Sequence, residues 1–176
     1  PAKPAAGAPP VKVGFRAFVR EYPKLATFVC SFFVQGNMTM MMSLTALQLD
    51  HHGHDLPSIS FAVAVHVAGM FAFSLPLGKL TDRVGRKPVM LGGVITAVIG
   101  TCVVAATGDY WIVLAGAFLF GLGWSGVNVA ATVLLSDTTP PEARGRAVGT
   151  NDSLASAAHL SMPILGGILA QAFGIQ

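Results

Sequence analysis

Hydrophobic residues run along this chain in long blocks, and the charged residues collect between them. Stretches free of Asp, Glu, Lys and Arg cover residues 25–49, 56–78, 88–108, 110–136 and 153–176. Each is 21 residues or longer, and an α-helix needs about 20 residues to cross the hydrocarbon core of a bilayer. Backbone in lipid must satisfy its own hydrogen bonds, and barrel strands are far shorter than these runs, so the pattern predicts helices. Five transmembrane helices are expected, at about 25–49, 56–78, 88–108, 110–136 and 147–173. The fold class is therefore an all-α membrane protein.

The charges sharpen that picture. Lys3, Lys12, Arg16, Arg20 and Lys24 precede the first span, Lys79, Arg83, Arg86 and Lys87 follow the second, and Arg144 and Arg146 precede the fifth. All 11 basic residues thus fall on one side of the threaded chain. The positive-inside rule makes that side cytoplasmic, with the N-terminus there too. Only 11% of the chain is charged, against about a quarter in a soluble domain. The pI near 9.2 would suit nucleic acid only if the basic residues formed one stripe on a folded surface. Sorted as they are, they point to a lipid bilayer and to no nucleic-acid partner. Cys30 and Cys102 both lie inside apolar runs and read as small hydrophobes.

Residues 1–24 differ from the rest. The Pro/Ala-rich start reads as a flexible linker. After it, Phe15, Phe18 and Tyr22 alternate with Arg16 and Arg20, which suits either a short helix in the cytoplasmic interface or a disordered juxtamembrane tail. No signal-peptide pattern precedes the first span.

Between the second and third spans lies GKLTDRVGRK, residues 78–87. Gly78 would let helices pack closely and Gly85 would allow a tight turn between antiparallel helices. Asp82, an anion near a helix end, suits the positive N-terminus of another helix. Arg83, Arg86 and Lys87 would anchor the loop and hold Asp82 in a charge network that breaks and re-forms; the plainer reading is a topology anchor. The stretch resembles the signature loop of the major facilitator superfamily (MFS), with Gly78, Leu80, Asp82, Arg83, Gly85, Arg86 and Lys87 all matched. The resemblance implies a five-helix partial bundle of an MFS general-transporter fold. The fourth span lacks the arginine usual in the fourth helix of that family. The stretch GLGWSGVNVAATVLLSD with PPEARGRAVGTNDS is similar to the tenth and eleventh helices of bacterial members. The resemblance therefore implies helices seven to eleven, with the N-terminal half and the twelfth helix of the parent missing.

In the fifth span Pro163, Gly166 and Gly167 match the end of the family's antiporter motif and Gly149 its start. Ala158 and Met162 replace glycines, and that motif belongs to the fifth helix of the family. The incomplete match predicts a kinked, closely packed helix more directly than it predicts an antiporter.

Several residues are candidates for chemistry. Gly121, Gly123 and Gly126 in GLGWSG form a GxGxxG, but inside an uncharged run they describe a packing surface, not the strand-to-helix turn of a dinucleotide enzyme. No enzyme activity and no cofactor are expected. Asp152, Ser156 and His159 follow at i, i+4 and i+7 on one helical face, where a carboxylate and an imidazole could pass a proton; alternatively Asp152 caps a helix starting at Thr150. Gln35, Thr39 and Ser43 form a polar stripe in the first span, with Asn37 and several methionines nearby. With His66 and Asn128 they are candidates for a cavity wall or for interhelical glue. Asp50, His51, His52 and His54 crowd the far end of the first span, where they could hold a metal or simply meet water.

The expected function is transport of a small-molecule substrate across a bacterial cytoplasmic (inner) membrane by alternating access, with proton-coupled efflux as a narrower expectation. A non-transporting assembly subunit, a half-size unit that pairs with another chain, and a metal-ion exporter using the His-rich loop remain alternatives.

Overall fold

The computed structural model describes residues 22–172. The linker and interfacial segment expected within residues 1–24 fall almost wholly outside the described residues. Six helices follow one another: α1 (Tyr22–His51), α2 (Leu56–Phe71), α3 (Ser74–Val84), α4 (Arg86–Ala105), α5 (Tyr110–Asp137) and α6 (Arg144–Ala172). A single 3₁₀ turn, Pro141–Ala143, leads into α6.

The chain's own punctuation explains the boundaries. Asp55 caps α2 by accepting from the Ser58 N–H at 3.1 Å. Asp109 caps α5 by accepting from the N–H groups of Trp111 and Ile112. Both satisfy backbone donors that a helix start leaves orphaned. Gly85 is the one residue between α3 and α4, with φ at +103°, a conformation that side-chain-bearing residues rarely adopt.

One expected element differs. The second span, read as continuous over 56–78, breaks at Ala72–Phe73 and resumes as α3. Pro76 has no N–H to donate to the Ala72 carbonyl, and its ring crowds that carbonyl. The helix restarts one register on, with the Leu77 N–H bonding to the Phe73 carbonyl at 2.9 Å. In consequence most of GKLTDRVGRK is helix rather than loop.

Among the described residues, four spans are long and apolar enough to cross a membrane: Lys24–His51, Leu56–Val84, Arg86–Ala105 and Tyr110–Asp137. α6 carries Arg144, Arg146 and Asp152 in its first turns, and its uncharged remainder, residues 153–172, extends about 30 Å. The outward faces are apolar, with Leu75 at 82% and Leu56 at 75% exposure, as lipid-facing or helix-facing surfaces require. This is a multi-pass membrane protein.

α5 is the central helix. Of its most apolar stretch 61% is buried, against 22–33% for the other three spans. Its small residues are spread around the whole circumference, so neighbours approach from every side. α4 lies closest: a Cβ on Gly93 would stand 2.7 Å from the Gly123 carbonyl oxygen, and one on Gly100 would stand 2.7 Å from that of Gly116. α2 crosses α5 just as tightly, because a Cβ on Gly121 would collide with the His66 backbone. α6 packs mainly on α1. There a Cβ on Gly36 would stand 3.0 Å from Met162 Cβ and 3.2 Å from Ala158 Cβ. The two residues that depart from the antiporter pattern are the ones seated on α1.

Candidate functional site

Polar groups of this bundle collect at three levels. The first is the middle of the three longest helices. Gln35 on α1 accepts from the Trp124 indole N–H on α5 at 2.8 Å and lies 3.1 Å from His159 Nε2 on α6. The indole can only donate, so the Gln35 oxygen must face it. That same oxygen can only accept, so His159 donates its Nε2–H. Gln35, Trp124 and His159 each lie 13 to 15 residues from the start of their helices, or about 20 Å along the axis at 1.5 Å per residue. Three helices are thus tied at mid-depth through one amide oxygen. Nearby, Asn37 donates to the Thr101 hydroxyl on α4 at 2.9 Å, which in turn donates to the Ala97 carbonyl.

The other expected cavity residues separate from this junction. Ser43 is exposed and bonds back to the Thr39 carbonyl of its own helix. Asn128 is half-buried, and its backbone carbonyl accepts from Thr132. His66 is buried on α2, its Nδ1 3.0 Å from the Ala117 carbonyl and its ring stacked on Phe120 at 5.7 Å. Asp152 does not join His159. α6 starts at Arg144, so Asp152 is not a cap; it lies eight residues in, exposed, while His159 turns to Gln35. Among the described residues no hydrogen bond links the pair.

The second level is the basic end. Arg86 opens α4 and donates its Nε–H to Asp137 at the end of α5, at 2.8 Å. Its guanidinium also lies 3.7 Å from Asp82 on α3 and 3.4 Å from the Thr81 carbonyl. One cation therefore joins the ends of three helices. Arg83, Lys87 and Leu80 are exposed, and Asp82 is the more loosely held acid, 72% exposed against 49% for Asp137. Gly78 meets nothing within 4 Å at the position of a Cβ, so packing among the described helices does not explain it. Arg144 donates to the carbonyls of Ser136 and Thr139, a cation closing the negative end of α5.

The far end is latched differently. Gln48 donates to the Thr107 carbonyl, His52 packs against Gly108, and the Tyr110 hydroxyl donates to the Ser58 carbonyl at 3.0 Å. The candidate metal ligands Asp50, His51, His52 and His54 are not brought together there. His52 turns back to the Gln48 carbonyl at 2.7 Å, and the His54 ring packs at a tilt against Tyr110, 5.0 Å between centroids. Among the described residues no three histidines, cysteines or acids converge. Hydrogen bonds from Ser58 hold the Asp55 carboxyl below its ordinary range.

In the packing positions, Gly123 abuts Ala97 and Gly126 lies 3.4 Å from Gly93, both counted at a virtual Cβ. Gly166 faces Met40, whereas Gly167 has open space. Pro163 sits inside an uninterrupted α6.

Sequence reasoning missed Trp124, Asp137 and Gly36. Two signals were available. A tryptophan at mid-membrane needs an acceptor for its N–H, and an acid closing an uncharged run stands beside the next basic segment.

The family model described as Major Facilitator Superfamily matches residues 27–176. The chain is 31% identical over 150 residues to the uncharacterized MFS-type transporter YdeG of Bacillus subtilis, covering 75% of this chain and 35% of that protein. It is 30% identical over 132 residues to the riboflavin transporter RfnT of Brucella anthropi, covering 73% and 31%. It is 32% identical over 111 residues to the multidrug resistance protein MdtL of Escherichia coli, covering 63% and 28%. The chain spans about a third of the length of the curated relatives it matches.

Proposed function

The chain belongs to the major facilitator superfamily, and from that premise we propose that its helices form part of a secondary transporter that moves a small organic solute across the bacterial cytoplasmic membrane by alternating access. The basic helix ends face the cytoplasm in this reading. The five spans correspond to helices seven to eleven, and an N-terminal half supplies the opposite wall of the cavity. The observation that carries the reading is the mid-depth junction of Gln35, Trp124 and His159. Transporters of this architecture bind solute near the bilayer midplane, between repeats that rock against each other. An amide, an indole face and an imidazole suit a flat organic solute with hydrogen-bonding groups. The Arg86–Asp137 pair, with Asp82 beside it, serves as the latch that closes and opens at the cytoplasmic end. Proton coupling runs through His159, which donates to the Gln35 amide oxygen at the junction, rather than through Asp152.

Proteoliposomes holding the full-length protein test this. A panel of flavins and multidrug-type aromatic cations should contain a solute whose flux is lost in Gln35→Leu while the protein stays folded. His159→Gln should retain downhill exchange and lose acceleration by a pH gradient. A Gln35→Leu variant that transports every panel solute at the unaltered rate removes the junction from the transport path.

A further inference from the structure

His66 is placed as a metal ligand is placed, and two methionines line the same small cavity. The side chain lies deep in the bundle, at 4% exposure. Nδ1 stands 3.0 Å from the Ala117 carbonyl. A carbonyl can only accept, so Nδ1 carries the proton and neutral His66 presents a bare lone pair on Nε2. Nε2 is fully buried and has no hydrogen-bond partner among the described residues. Stacking on Phe120 fixes the ring plane. A backbone carbonyl that takes one ring N–H and aims the other nitrogen is the usual support for a histidine that binds metal.

The small cavity beside His66 decides which ligand fits. It lies between α1, α2 and α5 and is lined by Met41, Met42, Thr45, Ala62, Val63, His66 and Ala117. Its free volume is about 10 Å³, room for about one water-sized occupant. An organic solute is excluded. A water there would find the His66 nitrogen and the Thr45 hydroxyl, at the low end of the two to four polar partners that a buried water needs. The other lining residues whose side chains carry a heteroatom are Met41 and Met42. No carboxylate or thiol lines the space, so a divalent ion would be buried without neutralising charge, which is costly. Thioether and imidazole ligands select monovalent copper over harder ions.

We propose that His66 Nε2, with the thioethers of Met41 and Met42, forms a binding site for a single soft monovalent cation, Cu(I) or its mimic Ag(I). The site is separate from the Gln35 junction and stands whether or not the ion is itself transported.

The test is an anaerobic titration of the full-length protein in detergent with Ag(I), and with Cu(I) buffered by a chromophoric chelator. Unaltered protein should bind one equivalent, without competition from Zn(II). The double variant Met41→Leu, Met42→Leu conserves volume and should fold; its affinity should fall at least ~10-fold, as expected when a metal site loses its support. His66→Leu should abolish binding. Should that variant fail to fold, X-ray absorption on Ag(I)-loaded unaltered protein should show nitrogen and sulfur scatterers, with the sulfur shell lost in the double methionine variant. Absence of a bound equivalent overturns the proposal. So does binding that is unchanged in the double variant, which would place the ion at Cys30, Cys102 or the loop histidines.

Discussion

The α4–α5 seam and the α1–α5–α6 junction are both interhelical contacts of the same bundle, built from opposite materials. In the seam, Gly93, Gly100 and Gly123 bring backbone against backbone, and the stiff side chains of Val103, Val104 and Val127 fill what space is left. In the junction, helices meet through long side chains: Gln35, Trp124 and His159 at the polar centre, and Met162 and Met40 against Gly36 and Gly166. Without a hydrophobic force between helices in lipid, association depends on close packing and on interhelical hydrogen bonds. The seam uses the first and the junction the second. A backbone seam has one arrangement. A junction of rotatable side chains and one shared acceptor can have two, as the proposed transport cycle requires.

The sharpest way to break this comparison is to force a side chain into the seam. Gly123→Val should cost ~3 kcal/mol or more, since the neighbouring atoms are α4 backbone and cannot step aside; loss of monodisperse protein in detergent or a large fall in Tm reports it. A folded, equally stable Gly123→Val protein would mean that the helices can separate and that the seam is not rigid. Next in size, Gln35→Leu leaves the indole and imidazole donors without their acceptor, at about 1–3 kcal/mol. Trp124 emission should shift as its hydrogen bond is lost, and unshifted emission would show that the bond is not maintained. Smallest, and of opposite sign, Gly78→Ala should raise stability by about 0.5–1 kcal/mol, because the position is helical and open. A loss at Gly78 similar to that at Gly123 would erase the distinction between packed and unpacked glycines.

Much of the fold was legible along the chain because lipid imposes one simple rule, that every charge must leave the hydrocarbon. That rule located the spans and sorted the basic residues. It did not locate the break at Ala72–Phe73, because Pro76 sits in an apolar run and a hydropathy pattern does not register a missing N–H. The site was only partly legible. Gln35, His159 and His66 stood out as polar residues in lipid. Their partners did not, since Trp124 and Ala117 lie 89 and 51 residues away in sequence. The stripe Gln35–Thr39–Ser43 reads as one face, yet Ser43 is exposed and bonds to its own helix. Asp152 and His159 share a face of α6, but a shared face does not specify a shared partner.

By itself, then, the sequence determined a helical membrane protein with its cations at one end, because charge in hydrocarbon is costly whatever the tertiary arrangement. The tertiary structure alone decided that Arg86 pairs with Asp137 more closely than with Asp82, that one amide oxygen ties three helices, and that His66 shares a small cavity with Met41 and Met42. These are contacts between helices far apart in sequence. Their geometry follows from how closely glycine lets the helix axes approach, a distance that no periodicity within one helix records.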